Sequence, residues 1–136
     1  MTASTAHSYT CRVRWSDVDA FGHVNNVKYF EYVQEARIGF MHSLADGTLS
    51  GASTWVVARQ DVEYKRPMLF RSAPYEIRTV VTRIGRSSYE LQADILDGEV
   101  LMSRARTVVV AFDQGTQRSR IMTDVERSAL ESAHVG

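Results

Sequence analysis

The spacing of apolar residues changes from a period of two to a helical period early in the chain. Residues 9–15 alternate apolar and polar side chains, which is typical of a half-buried strand. Residues 16–26 break this alternation with two aspartates, a glycine and two asparagines, and are predicted to form a loop. We expect Asn25 or Asn26 to be the N-cap of the helix that follows, and Gly47 to lie just beyond its end. The apolar stripe of this helix comprises Tyr29, Phe30, Val33, Ala36, Ile38, Phe40 and Met41.

The rest of the chain is rich in strand patterns separated by turns. A Gly/Ser/Thr-rich connection spans residues 46–54. Pro67 and Pro74 mark a loop, and Asp97 followed by Gly98 is typical of a tight hairpin. Between these breaks the sequence predicts four strands, at residues 55–64, 75–84, 89–95 and 100–112.

A short helix is predicted near the C-terminus, because Thr123 and Glu126 have the spacing of a capping box. The element order is then one strand, one long helix, four antiparallel strands and a small helix. Only the sheet is available to cover the apolar stripe of the long helix. We therefore predict an α+β fold with a five-stranded antiparallel sheet curved around that helix.

Length, charge and cysteine content narrow the class of protein. The chain has 136 residues and a mass of 15.3 kDa, so a single domain over residues 1–136 is expected. Sixteen basic residues balance sixteen acidic ones, which argues against a general nucleic-acid binder. The lack of a signal sequence or a long apolar run predicts a cytoplasmic protein without a membrane partner. Cys11 is the only cysteine and the four histidines are scattered, so we expect no disulfide and no metal site.

The segment directly before the long helix combines three features that suit catalysis. Asp17 and Asp19 place two carboxylates two residues apart, and Gly22 allows close approach of the backbone. The helix N-terminus adds unpaired N–H groups and partial positive charge. A carboxylate base or nucleophile could thus lie beside donors for an oxyanion. The spacing alone is equally compatible with two aspartates that only shape a turn.

Residues 14–37, with the core D-x-D-x-x-G-H-V-N-N-x-x-Y, resemble the motif of the 4-hydroxybenzoyl-CoA thioesterase family. The likeness extends over about residues 9–112, although only the loop and helix segment is specific. The resemblance implies the hot-dog fold, in which a five-stranded antiparallel sheet wraps a long helix. It also implies an acyl-CoA thioesterase that releases a free carboxylic acid and CoA without a cofactor.

The resemblance assigns a role to several residues of the motif. Asp19 matches the catalytic carboxylate, which acts as a nucleophile or as a general base for water. Asp17 is expected to order the loop, and Gly22 to allow its tight turn. The backbone N–H near Asn26 matches the oxyanion donor. His23 is expected to bond the thioester carbonyl, to hold Asp19, or to support the loop.

Other positions of the loop and helix leave two interpretations open. Asn25 could orient water or cap the helix, and Tyr29 could line the acyl pocket or belong to the core. Some hot-dog branches place a catalytic glutamate on this helix. Glu31 and Glu35 are better explained as a solvated stripe, in which Lys28 pairs with Glu31.

The depth of the acyl pocket depends on which of these aromatic and branched residues face inward: Phe21, Tyr29, Phe30, Trp55, Val57 and Tyr64.

The basic residues suggest where a CoA nucleotide would bind. Fourteen of the sixteen are arginine, whose planar donor fork suits phosphate groups. The candidate contacts are Lys65 and Arg66 after the second strand, and Arg86 and Ser87 near the Gly85 turn. One protomer of this size leaves little concave surface for a CoA ester. Since the site in this fold forms between protomers, we expect a homodimer or a dimer of dimers.

Three alternatives remain open at this point. A thioesterase for acyl groups on a carrier protein would need basic residues clustered at the tunnel mouth. A non-catalytic acyl-CoA binding module would keep the pocket but show no hydrolysis. A hot-dog dehydratase would require His23 to act with Glu31 or Glu35, and the motif fits a thioesterase better.

Overall fold

An antiparallel sheet and two helices make up the fold. A computed structural model gives the structure and describes residues 6–44 and 54–134. No helix in these two ranges has the length and apolar character needed to cross a membrane. The elements are β1 (His7–Cys11), a 3₁₀ turn (Trp15–Asp17), α1 (Lys28–Ser43), β2 (Trp55–Tyr64), β3 (Tyr75–Ile84), β4 (Ser88–Asp97), β5 (Val100–Asp113), β6 (Arg118–Ser119) and α2 (Asp124–Ser132).

The strand order across the sheet is β1-β3-β4-β5-β2, and the two-residue β6 pairs with β5. Every pair of neighbouring strands is antiparallel, as predicted. The sheet holds five long strands and the short β6, which the sequence pattern did not reveal. β2 forms one edge of the sheet, and none of its residues is fully buried.

The first strand begins and ends earlier than predicted. β1 pairs with β3 from His7 to Cys11, and Cys11 lies opposite Tyr75, the first residue of β3. Beyond Cys11 the chain has no β3 residue left to pair with, so it leaves the sheet. Val13 is still buried in extended backbone, whereas Trp15 starts a 3₁₀ turn and is 74% exposed. Assigning Trp15 to the strand was therefore wrong.

Cys11 is buried at the end of β1. Burial, reinforced by the nearby carboxylates of Glu35 and Asp17, raises the pKa of the Cys11 thiol to about 12. The thiol is consequently neutral near physiological pH, which does not suit a nucleophile.

The predicted apolar stripe of α1 is correct for most of its members. Tyr29, Val33, Ala36 and Phe40 are all buried. Ile38 is 58% exposed, so its assignment to the stripe was wrong. Its side chain lies on a face of the helix that the sheet does not cover.

The start of α1 also differs from the expected N-cap. The capping position is Val27, which makes no side-chain cap, so neither Asn25 nor Asn26 is the N-cap. Asn25 instead closes a turn ahead of the helix: its Oδ1 accepts from the Val27 N–H at 3.0 Å. The backbone carbonyl of Asn25 accepts from the Lys28 N–H at 2.9 Å. The expected helix end at Gly47 and most of the 46–54 connection lie outside the described residues.

The two halves of α1 pack into two parts of the core. Tyr29 and Val33 belong to a cluster with Ile77 of β3 and Ile95 of β4. The C-terminal half enters a second cluster through Phe40. The other members of that cluster include Val81, Tyr89, Leu91, Val109, Met122 and Leu130.

The C-terminal helix α2 is held as the capping-box spacing predicts. The Thr123 Oγ1 accepts from the Glu126 N–H at 3.1 Å, and the Glu126 Oε1 accepts from the Thr123 N–H at 2.9 Å. Glu126 is also paired with Arg120, whose Nη1 lies 2.8 Å from Oε1. Because α2 places Leu130 in the core, it closes the end of the sheet that faces Phe40.

We predict that Phe40→Ala destabilises the chain much more than Ile38→Ala, although both change the same helix. Phe40 is 1% exposed, and its truncation is expected to cost about 3–5 kcal/mol through lost burial and a cavity. The exposed Ile38 should cost less than about 0.5 kcal/mol. Urea denaturation of both variants measures the difference, and equal midpoints would contradict the packing described above.

Candidate functional site

The motif between β1 and α1 folds as a small hairpin closed by a tight turn. Val18 and Val24 form an antiparallel bridge. Within it, the Asp19 N–H donates to the His23 carbonyl at 2.8 Å, and the Gly22 N–H donates to the Asp19 carbonyl at 3.1 Å. Gly22 has φ of +81°, the left-handed conformation that three-residue hairpins require at this position. The tight turn expected at Gly22 is thereby confirmed.

The Asp19 carboxylate is oriented by backbone amides of its own turn. Its Oδ1 accepts from the Phe21 N–H at 2.9 Å and from the His23 N–H at 3.2 Å. Oδ2 has no hydrogen-bond partner among the described residues. One oxygen therefore fixes the side chain while the other is available for chemistry.

Asp17 occupies a different environment from Asp19, since it is fully buried. Its Oδ2 accepts from the Tyr32 hydroxyl at 2.6 Å and from the Arg14 N–H at 3.2 Å. Burial alone would raise the pKa of Asp17, but these bonds and the Arg14 guanidinium lower it below its usual value. The Asp17 carbonyl also accepts from the Asn25 N–H at 2.8 Å. Asp17 thus orders the loop, as expected.

A cavity of about 320 Å³ opens beside this hairpin. Six of the predicted site residues line it together: Asp19, His23, Asn26, Tyr29, Lys65 and Arg66. Val24 and Pro67, which were not among the predicted site residues, also line it, as does Tyr64, a candidate for the pocket wall. The Val24 N–H donates to the Met68 carbonyl at 2.8 Å, and this bond brings the loop after β2 against the motif. The sequence signals for that loop were Pro67 and Pro74, and neither indicated a contact with the motif.

Arg86 and Ser87 do not join this cavity within one chain. The Ser87 carbonyl accepts from the Ala111 N–H at 2.7 Å, whereas Tyr64 at the cavity pairs with Ser103. Eight residues of β5 separate these two positions, roughly 26 Å along a strand. A role for Arg86 and Ser87 in substrate binding stays a prediction.

Asn25 and Gly22 do not line the cavity either. The Asn25 side chain closes the turn before α1, although the N-cap itself is Val27. Phe21, a candidate for the pocket wall, is 84% exposed and points away from the core. Of the candidates for that wall, Tyr29 and Tyr64 are the two that reach the cavity.

Asn26, which lines the cavity at the start of the helix, carries an unpaired backbone amide. The N–H groups on either side of it are paired: that of Asn25 with Asp17, and that of Val27 with the Asn25 side chain. The Asn26 N–H has no hydrogen-bond partner within residues 6–44 and 54–134. It can donate to a negatively charged oxygen bound near Asp19.

The acidic residues on α1 lie away from this cavity. Glu31 is exposed and pairs with Lys28 at 3.0 Å and with Arg14 at 3.5 Å. The exposed Glu35 accepts from the Tyr9 hydroxyl at 3.0 Å. Since neither lines the cavity, the structure agrees with a solvated stripe on this face of the helix.

Comparison with known proteins gives consistent matches. The family model described as the Thioesterase-like superfamily matches residues 13–130. The uncharacterized protein YsmA of Bacillus subtilis (strain 168) is 32% identical over 123 residues, covering 87% of this chain and 80% of YsmA.

Solved structures match as well. A candidate acyl-CoA thioesterase from Xanthomonas campestris is 34% identical with a TM-score of 0.73, covering 85% of this chain and 98% of that one. A thioesterase from Thermus thermophilus, solved with coenzyme A and Zn, is 25% identical with a TM-score of 0.80, covering 93% and 92%. The shared fold is the hot-dog-like thioesterase fold.

Tyr32→Phe should weaken the structure by removing a hydrogen bond to the buried Asp17 carboxylate. We expect a loss of about 1.5–3 kcal/mol near neutral pH. Because the folded-state pKa of Asp17 is lowered, its stabilisation is present above the unfolded pKa of about 3.9 and is lost as the pH falls through the folded value. The difference between variant and parent should therefore shrink under acid conditions.

Urea denaturation measures the stability loss at about pH 7 and its decrease at about pH 3. These two pH values lie on either side of the unfolded carboxyl pKa. Tyr9→Phe is the matched control, since its hydroxyl bonds only the exposed Glu35. A loss in Tyr32→Phe no larger than in the control would show that the Asp17–Tyr32 bond does not order the loop.

Proposed function

This chain belongs to the thioesterase-like superfamily, and on that premise we propose that it hydrolyses acyl-CoA to a free carboxylic acid and CoA. The proposal includes membership of the 4-hydroxybenzoyl-CoA thioesterase family. We also propose that residues 1–136 form the single domain of that family, in which a five-stranded sheet wraps a central helix. The observation that carries the proposal is the Asp19 carboxylate, which two backbone amides hold beside a cavity that Asn26 also lines.

The reaction can follow two routes from this arrangement. In the first, Asp19 Oδ2 attacks the thioester carbon, the C–S bond breaks, and CoA leaves as a thiolate. Water then hydrolyses the resulting mixed anhydride, which restores the carboxylate and releases the acid. In the second, Asp19 takes a proton from water as the water oxygen attacks the same carbon; the C–S bond then breaks, and the departing CoA thiolate takes up the proton from Asp19. The fixed Oδ1 and available Oδ2 are compatible with both routes.

Either route develops negative charge on the thioester oxygen, and the Asn26 N–H is the proposed donor to it. A single donor of this kind typically contributes about 2.7–4 kcal/mol to transition-state stabilisation. The N-terminus of α1 adds partial positive charge in the same place. A thiolate is a good leaving group, so the protein need supply only attack, positioning and charge stabilisation.

The other motif residues have supporting roles in the proposal. His23 lines the cavity, and its backbone N–H holds Asp19; the proposed role of its ring is to bond the substrate carbonyl. Gly22 permits the turn, and Asn25 fixes the backbone next to the donor. Tyr29 forms part of the wall, with its hydroxyl accepting from the Met68 N–H at 3.0 Å.

Coenzyme A is the proposed thiol component of the substrate. Lys65 and Arg66 stand at the cavity, and their backbone N–H groups are anchored on the Met102 carbonyl at 2.9 and 3.0 Å. Exposed cations held in this way suit the CoA phosphates. The Thermus thermophilus neighbour that carries coenzyme A supports this assignment.

A homodimer, or a dimer of two such dimers, is the proposed assembly. β2 is an edge strand without a fully buried residue, and Val56 and Val57 are both exposed. An open edge of this kind pairs readily with another strand. A second protomer would also bring another copy of Arg86 and Ser87, which supports their proposed role at the neighbouring cavity.

Asp19→Asn should lower kcat for the best acyl-CoA substrate by about 10²–10⁴-fold, because the amide can neither attack nor take a proton. Its side-chain oxygen can still accept the two backbone bonds, so the fold should be preserved. A panel of acyl-CoAs with a thiol-detecting dye provides the measurement. Asp113→Asn is the matched control, since its Oδ1 also accepts from two backbone N–H groups, those of Gly115 and Thr116.

The same assay separates the alternatives. Turnover at the parent rate in Asp19→Asn would overturn the assignment of Asp19. Faster turnover of matched acyl groups on a carrier protein would move the function to that substrate class. Acyl-CoA binding without hydrolysis, unaffected by Asp19→Ala, would indicate a binding module.

Light scattering at micromolar concentration should give at least twice the 15.3 kDa chain mass. We expect this mass because the open edge of β2 can pair with a second protomer and because the cavity of one protomer is shallow. A fully active monomer under these conditions would contradict the proposed assembly.

A further inference from the structure

Tyr64, the last residue of β2, makes a direct bond to the start of α1. Its hydroxyl donates to the backbone carbonyl of Asn26 at 2.9 Å. Its ring packs edge-on against that of Tyr29, with 4.8 Å between the ring centroids. The Tyr64 side chain thus connects the end of β2 to Asn26, whose backbone amide is unpaired.

This bond completes a set of restraints around Asn26. On the N-terminal side, Asn25 donates its N–H to Asp17, and its side chain accepts from Val27. The Asn25 carbonyl, which shares a peptide group with the Asn26 N–H, accepts from the Lys28 N–H at 2.9 Å. These bonds leave the Asn26 carbonyl, in the next peptide group, without a restraint. Among the described residues, Tyr64 alone donates a hydrogen bond to the Asn26 backbone carbonyl.

Tyr29 in turn fixes the position of the Tyr64 ring. Tyr29 is buried, and its hydroxyl is held by the Met68 N–H. The Tyr64 ring therefore packs against a rigid surface, although Tyr64 itself is 46% exposed. A phenylalanine at position 64 would keep this ring contact and lose only the hydrogen bond.

We propose that Tyr64 is a positioning residue for the Asn26 amide: by holding the Asn26 carbonyl it restrains the backbone angles of Asn26, and with them the direction of the amide toward the thioester oxygen. This inference rests on the proposed function, because the amide matters to catalysis only if it meets a developing oxyanion. An oxyanion donor acts mainly in the transition state, and a small change in its direction lowers its effect. Loss of the Tyr64 bond should consequently affect kcat more than KM.

The test is Tyr64→Phe in the full chain, with Tyr9→Phe as the control hydroxyl deletion remote from the cavity. We expect kcat for the best acyl-CoA of the panel to fall about tenfold while KM stays within about twofold. The control should keep the parent values. In ¹⁵N-labelled protein, the Asn26 amide resonance should shift in Tyr64→Phe and remain unchanged in Tyr9→Phe.

The two measurements keep the inference separate from the proposed function. Parent values of kcat together with an unmoved Asn26 resonance would overturn the role of Tyr64. An equal rise in KM with constant kcat would also overturn it, because Tyr64 would then be an ordinary binding contact. If the parent chain hydrolyses no acyl-CoA, the proposed function fails and the inference about catalysis falls with it, while the Asn26 resonance still tests the restraint on the amide.

Discussion

The buried carboxylate of Asp17 is the interaction on which the arrangement of the site depends. It joins the turn after β1 to the middle of α1 through the Tyr32 hydroxyl, and to Arg14 through backbone and side chain. A charge this deeply buried is tolerated only when hydrogen bonds replace its water. Loop and helix are therefore held in one relative position, and that position determines where the neighbouring Asp19 carboxylate lies.

The two aspartates show how environment separates roles within one short motif. Asp17 has its hydrogen bonds supplied by Arg14 and Tyr32 and has no access to solvent. Asp19, two residues later, is exposed and held through one oxygen by the turn that Gly22 permits. The 3₁₀ turn directs the first carboxylate toward α1, whereas the hairpin that follows directs the second toward the cavity. The same chemical group is used once for structure and once for the proposed reaction.

Local patterns predicted most of the fold, because strands, turns and caps depend on neighbouring residues. The capping box at Thr123 and the inward face of β4 follow directly from spacing. The end of β1 could not be read in this way, since it depends on where the partner strand begins. The exposure of Ile38 likewise depends on how far the sheet extends over the helix. In the site, the motif predicted the turn, but the bond from Tyr64 to Asn26 joins residues 38 positions apart and follows from no local pattern.

The exposure of β2 would make the local stability of this strand, and with it the restraint on Asn26, depend on formation of the proposed dimer. Local stability is lowest where few side chains are buried, and β2 has none that is fully buried. Tyr64 ends this strand, so opening of the edge would release the restraint on Asn26. In the proposed dimer, a partner on that edge would hold the strand closed by mass action. The specific activity of each chain would then depend on protein concentration, although Asp19, Asn26 and Tyr64 belong to one protomer.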